Sequence, residues 1–166
     1  MGEREPLPFD PIDRAAVLWE KHVGDASSMR VATSIMRVQQ LLIAELDGVL
    51  KPLDLTFARY EVLRLVSFSR EGRLPLSTIG QRLMVHPTSV TNAIDRLTDS
   101  GFVERTPDDE DRRRVYASLT AAGKRVLRRA TKALMDIDFG LEVLGAAERE
   151  SLFRILRSVR ASDFED

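Results

Sequence analysis

The chain has 166 residues, 43% hydrophobic and 31% charged, which suits one domain, or one fold with an appendage, around a real core. It has no cysteine, which excludes a disulfide scaffold, a thiolate zinc site, an iron–sulfur cluster and a cysteine nucleophile. The formal net charge is −1, from 25 basic and 26 acidic residues, but the charges are unevenly placed. Residues 112–135 contain no acid and carry Arg112, Arg113, Arg114, Lys124, Arg125, Arg128, Arg129 and Lys132, directly after the acidic run Asp108, Asp109, Glu110 and Asp111. A balanced total can hide a basic face.

Residues 1–10 read as a flexible tail, acidic and proline-rich, with no apolar stretch of the kind a signal peptide needs. Pro6 stands where a myristoylation signal has Ser or Thr. No apolar run approaches the roughly 18 residues of a membrane span. A cytoplasmic protein with no membrane partner is expected.

Asp10 followed by Pro11 marks a helix start, with Ile12, Ala15, Ala16, Trp19 and Val23 at helical spacing and Gly24 as its end. Ser27 or Ser28 can cap a longer helix whose stripe is Val31, Ile35, Val38, Leu42, Leu46 and Val49, stopped by Pro52. Thr56 can cap a third helix through about Ser69. It is apolar on most sides and therefore central. After a turn at Glu71 and Gly72, Leu74, Pro75 and Leu76 are extended, and Ser77 can cap a short helix carrying Ile79 and Leu83.

Met84 and Val85 turn the chain, and His86–Pro87 open the next helix with proline at its first position. Val90, Ile94 and Leu97 share one face; Thr88, Asn92, Asp95 and Asp99 lie opposite, with Thr91 and Arg96 on the flanks. Gly101 ends it. Two alternating segments, from Phe102 to Thr106 and from Val115 to Leu119, form a hairpin around a polar loop. Thr120 can cap a long helix with a coiled-coil-like seam of Leu127, Ala130, Leu134, Ile137, Leu141 and Leu144, weakened by Gly140 and Gly145. A last helix carries Leu152, Phe153, Leu156 and Val159. The expected fold is mainly α with one small sheet.

No dinucleotide fingerprint, phosphate loop, nucleophile elbow or paired-histidine zinc motif is present. The two histidines, His22 and His86, fall on separate elements, so neither an enzyme nor a metal site is expected, and no cofactor is implied. A helix, turn, helix and hairpin over residues 76–119 instead suit DNA. The second helix of such a unit enters the major groove and needs small or hydrogen-bonding residues outside and apolar ones inside. Thr88, Ser89, Thr91, Asn92 and Arg96 meet the first need; Pro87 leaves the N-terminal amides free near a phosphate. The hairpin loop carries Asp111, Arg112 and Arg113; arginine is drawn into narrow minor grooves, and Asp111 can fix an arginine's direction.

These segments, residues 76–83 (LSTIGQRL), 86–97 (HPTSVTNAIDRL), 101–105 (GFVER), 108–113 (DDEDRR) and 119–123 (LTAAG), resemble the MarR family of winged-helix transcription regulators over roughly residues 28–160. Glu110 departs from the family's wing pattern, replacing its first arginine. The resemblance implies a homodimer with a winged helix-turn-helix over residues 54–119. The dimerisation lobe would be built from residues 11–53 and 120–166. A core within one chain is the alternative use of the Leu127–Leu144 seam.

The extra N-terminal helix with Trp19 is similar to a urate-responsive group, which has an arginine where this chain has Ala93. Residues 55–61 (LTFARYE) and 86–93 look closer to an actinobacterial branch answering citrate or trans-aconitate. Trp19, His86 and Arg105 are the candidate residues for a small anionic effector, although core packing is the favoured role for Trp19, and a helix cap or phosphate contact for His86. The expected function is a ligand-responsive repressor released from a palindromic operator in double-stranded DNA. A constitutive DNA binder and a winged-helix protein-interaction module are the alternatives.

Overall fold

A computed structural model of the chain describes residues 7–108, 111 and 114–161. The chain divides after Ala44 into two compact units. Among the described residues no helix is long and apolar enough to cross a membrane.

The first unit holds helix α1 (Pro11–His22) and most of α2 (Ser27–Leu50). Asp10 caps α1, its Oδ1 accepting from the Ile12 amide at 2.8 Å, with Pro11 in the first turn. The chain leaves α1 through Gly24 at φ +148°. Ahead of α2 the capping oxygens come from Asp25, which accepts from both the amide and the hydroxyl of Ser27. Ser27 is therefore the first helical residue rather than the cap. The predicted α2 stripe is exposed at Val31, Ile35 and Val38 and buried only at Leu46.

The second unit begins in the last turn of α2. A 3-10 turn over Lys51–Leu53 contains Pro52. Helix α3 (Phe57–Ser67) follows, capped by the Thr56 hydroxyl, and it ends two residues earlier than its pattern suggests. Asp47 also accepts from the Phe57 amide at 2.6 Å. Tyr60, Val62, Leu63 and Val66 of α3 are all buried, as a helix with apolar residues on most sides should be.

Strand β1 (Arg73–Pro75) leads into α4 (Leu76–Leu83). Pro75 is the cap residue of α4 and makes no side-chain bond, so the expected Ser77 cap is not formed. Helix α5 (Pro87–Asp99) and strands β2 (Val103–Pro107) and β3 (Val115–Leu119) complete the unit read from residues 76–119. The hairpin is part of a three-stranded antiparallel sheet in the order β1-β3-β2. Leu74 stands opposite Ala117, and Arg105 stands opposite Ala117 from the other side.

Helix α6 (Ala121–Asp136) is shorter than expected. The predicted seam does not run on to Leu144. Asp138, Phe139 and Gly140 take left-handed backbone angles of +45°, +56° and +73°, and the chain restarts as α7 (Ala146–Val159). Ile137 and Phe139 fold back onto the core, which offsets the cost of an aromatic residue at positive φ. Leu127, Ala130 and Leu134 are buried in one cluster with Leu63, Ile94 and Leu97. The part of the seam on α6 is thus core within the chain. Helix α7 buries no residue.

Candidate nucleic-acid interface

The candidate site is built on α5, and its position follows from two matching turns. Helix α4 ends with Met84 in the left-handed region at φ +53°, the Met84 amide bonding to Gln81 O and the Val85 amide to Gly80 O. Helix α5 ends the same way at Gly101, φ +69°. There Gly101 N bonds to Thr98 O and Phe102 N to Leu97 O, both at 2.9 Å. These paired bonds satisfy the last carbonyls of each helix and fix the direction in which the chain departs. At the start of α5, His86 Nδ1 accepts from the Thr88 amide at 3.2 Å. His86 therefore acts as a helix cap; the Ser89 and Val90 amides also bond to His86 O, so the first-turn amides are partnered within the chain and not left free as the sequence suggests.

Val90, Ile94 and Leu97 are 2%, 0% and 0% exposed, which clamps α5 to the core. Pro87, Thr88, Ser89, Thr91, Asn92 and Arg96 all lie exposed. The Thr91 hydroxyl donates to Pro87 O at 3.1 Å, leaving its oxygen able to accept. The side chains of Asn92 and Arg96 make no hydrogen bond or ion pair among the described residues, so both end groups are available to another molecule. Thr88, Ser89, Asn92 and Arg96 thus form the polar outer surface of a helix whose other side is fully packed.

Arg105 on β2 reaches back to α5. Its guanidinium pairs with Asp95 Oδ1 at 2.7 Å and donates to Thr91 O at 3.3 Å. The sequence offers Arg105 as a cation for an effector; in the folded chain its charge is committed to Asp95. That pair braces the first wing strand against α5. Trp19, the aromatic of the same expected trio, belongs to the first unit and is 40% exposed.

The wing is organised by Asp108. Its Oδ1 accepts from the Asp111 amide at 3.2 Å, and its Oδ2 from the Tyr116 hydroxyl at 3.0 Å. Asp108 N bonds to Arg114 O, and Arg114 N to Asp111 O. The Tyr116 ring lies 4.4 Å beneath the Arg73 guanidinium. The hydrogen bond to Asp108 pushes the Tyr116 phenol above its ordinary value. Asp111 joins the loop through its backbone. Arg112 and Arg113, the expected groove-contacting pair, lie outside the described residues, as does Glu110. In the sequence Asp108 reads only as one of the acidic run before the loop arginines, and Arg73 and Tyr116 do not stand out as wing residues. The spacing of Asp108 before a polar loop is the available signal; the Arg105–Asp95 pair has none, since it depends on the strand crossing back over the helix.

The family profile that matches this sequence, MarR family, covers residues 55–115. Sco5413, a MarR family transcriptional regulator from Streptomyces coelicolor, is similar in structure, with 50% sequence identity and a TM-score of 0.77 over 84% of this chain and 98% of that one. A mutant MarR from E. coli complexed with operator DNA is 26% identical, with a TM-score of 0.71 over 86% and 97% of the two chains. The uncharacterized HTH-type transcriptional regulator YfiV of Bacillus subtilis is 31% identical over 102 residues, 61% of this chain and 62% of that protein. The chain thus spans less than two thirds of that curated relative. With this fold and 50% identity to Sco5413 over 84% of its length, the chain belongs to the MarR family of transcriptional regulators.

Proposed function

We propose that the protein is a sequence-specific transcriptional regulator that binds an inverted repeat in double-stranded DNA as a homodimer and is released by a small anionic ligand. The observation that carries the reading is α5 itself: its inner face is sealed into the core, while Thr88, Ser89, Asn92 and Arg96 are exposed and their helix is braced to the wing by Arg105. A major groove admits one such helix. The MarR of E. coli, crystallised with operator DNA, shares this fold.

In this reading Asn92 pairs with an adenine edge, giving and accepting through its amide. Arg96, a turn further on, holds the DNA backbone. With the first-turn amides of α5 already bonded to His86, a phosphate at this end of the helix meets the positive end of its dipole rather than free amides. Arg112 and Arg113 enter the minor groove from the wing, and Asp111 shapes the loop that carries them. Residues 54–119 form the reading head, and the helices on either side of it supply the partner contact. The likeness of residues 55–61 and 86–93 to the branch answering citrate or trans-aconitate makes a polycarboxylate the first effector to test. An anion at Arg105 would compete with Asp95 and so loosen the brace between helix and wing.

The test is a titration of duplex containing an inverted repeat at several salt concentrations. Binding should weaken as salt rises, and the Arg112→Ala, Arg113→Ala double substitution should flatten the slope of log K against log salt by about one for each phosphate that the wing no longer neutralises. Unchanged affinity and slope would remove the wing from the interface. Salt-insensitive binding would contradict the DNA reading itself.

A further inference from the structure

We infer that the second unit carries a binding site for a phosphorylated small molecule of nucleotide size, on the edge of the sheet away from α5. The site is a cavity of about 470 Å³ where the α3–β1 turn, strand β1, the last turn of α4 and the start of β3 meet, and Phe68, Arg70, Arg73, Arg82, Arg114 and Tyr116 are among its lining residues. That volume lies within the range of small-molecule pockets, roughly 300–1,000 Å³.

Four arginines from four separate segments converge on this cavity against one acid, Glu71. Glu71 meets only Arg73, at 3.8 Å. Arg70, Arg82 and Arg114 are exposed, and none of them forms an ion pair among the described residues. The turn that presents Arg70 is closed on both sides: Gly72 N bonds to Ser69 O at 3.2 Å, and the Ser69 hydroxyl donates to Arg73 O at 2.5 Å. Arg73 is steadied by the Tyr116 ring beneath it. Like charges gathered in one concavity repel each other unless an anion enters. A carboxylate has two oxygens to give, fewer than three unpaired guanidinium forks from three directions call for. A phosphate chain has enough, and the planar fork matches its oxygens in pairs.

The position of the cavity separates it from the DNA contact. The strand order β1-β3-β2 puts this edge opposite β2, the strand that Arg105 ties to α5. Neither α5 nor β2 contributes to the lining. A duplex laid on the outer face of α5 meets that helix and the wing loop, whereas a concave site on the other edge suits a free ligand that enters it. Phe68, 71% exposed within the lining, supplies a ring for a base to stack on. Such a ligand would stand one contact from the wing, because Arg73 lies over Tyr116 and the Tyr116 hydroxyl holds Asp108.

Calorimetric titration of the full chain, without DNA or divalent metal, tests the site with ATP, with adenosine as the probe lacking phosphate, and with inorganic triphosphate as the probe lacking a ring. ATP should bind saturably and more tightly than either of the others. Arg70→Gln, Arg82→Gln should weaken it by at least about tenfold, while Arg125→Gln, Arg129→Gln, the same charge change away from the cavity, should leave it within about twofold. Duplex affinity of the Arg70→Gln, Arg82→Gln protein should stay within about twofold of the wild type. No ATP binding, adenosine or triphosphate matching ATP, or equal losses in the two double variants would each overturn the site. So would a fall in duplex affinity as large as the fall in ATP affinity, because the arginines would then serve the DNA backbone.

Discussion

Gly123 shows how narrowly the reading head is fitted together. A Cβ there would fall on the Phe102 carbonyl oxygen, well inside van der Waals contact, and 3.0 Å from the Phe102 carbonyl carbon. Both are backbone atoms at the exit of α5, and the Phe102 oxygen also accepts from the Thr120 amide at 3.1 Å. Neither can give way without shifting the end of the reading helix. Gly123→Ala should therefore cost about 3 kcal/mol or more, at the upper end of overpacking effects, and thermal unfolding measures it. A melting temperature equal to that of the wild type would show that α6 does not press on Phe102. Single-residue roles are legible where a local rule applies: Asp10, Thr56, His86 and Thr120 all cap the helices their positions suggest. They are illegible where a partner comes from elsewhere in the chain. Arg105 reads as a free cation because Asp95, ten residues earlier, meets it only once β2 turns back along α5.

At the scale of elements, helical periodicity locates the α-helices, but it does not tell a seam that continues from one that folds back. Leu127 to Leu144 keeps an unbroken three-and-four spacing, yet the helix stops at Asp136 because Phe139 gains more by packing on the core than by continuing the turn. The extended segment at Leu74 is read from the sequence, but its pairing into the sheet is not, for a related reason. Arg73–Pro75 is too short to show alternation, and its pairing partner lies more than forty residues later. These breaks redistribute the apolar surface. Leu134 of α6 is fully buried in the core of the second unit, so a charge there unfolds the chain rather than separating subunits. Helix α7 instead leaves Leu152, Ile155 and Val159 exposed along one side, at 38%, 62% and 65%, a face suited to a second copy of the chain. Ile155→Glu, Val159→Glu should shift sedimentation from dimer to monomer at micromolar concentration while the helical circular dichroism persists. A wild-type protein that sediments as a folded monomer would contradict the dimer.

For the whole molecule, the basic character of residues 112–135 is divided in its use. Lys132 is held by Asp136 at 2.7 Å, Lys124 and Arg128 line a cavity beside α3, and the wing arginines belong to the proposed DNA contact. A net charge near zero thus coexists with local cationic surfaces, each defined by which acids the fold brings near it. The fold-level reading is recoverable because winged helices place their turns, caps and strands in a fixed order along the sequence. The effector is not, because a ligand cavity is made by side chains that converge only after folding. The central claim, that α5 reads bases, is tested most directly by selecting preferred duplexes from a random pool with the wild type and with Asn92→Ala. The wild type should yield an inverted repeat with a fixed adenine in each half-site. The variant should lose that one preference, worth about 1–3 kcal/mol of discrimination, and keep the others. Recovery of the same adenine with Asn92→Ala, or of no sequence preference by the wild type, would contradict it.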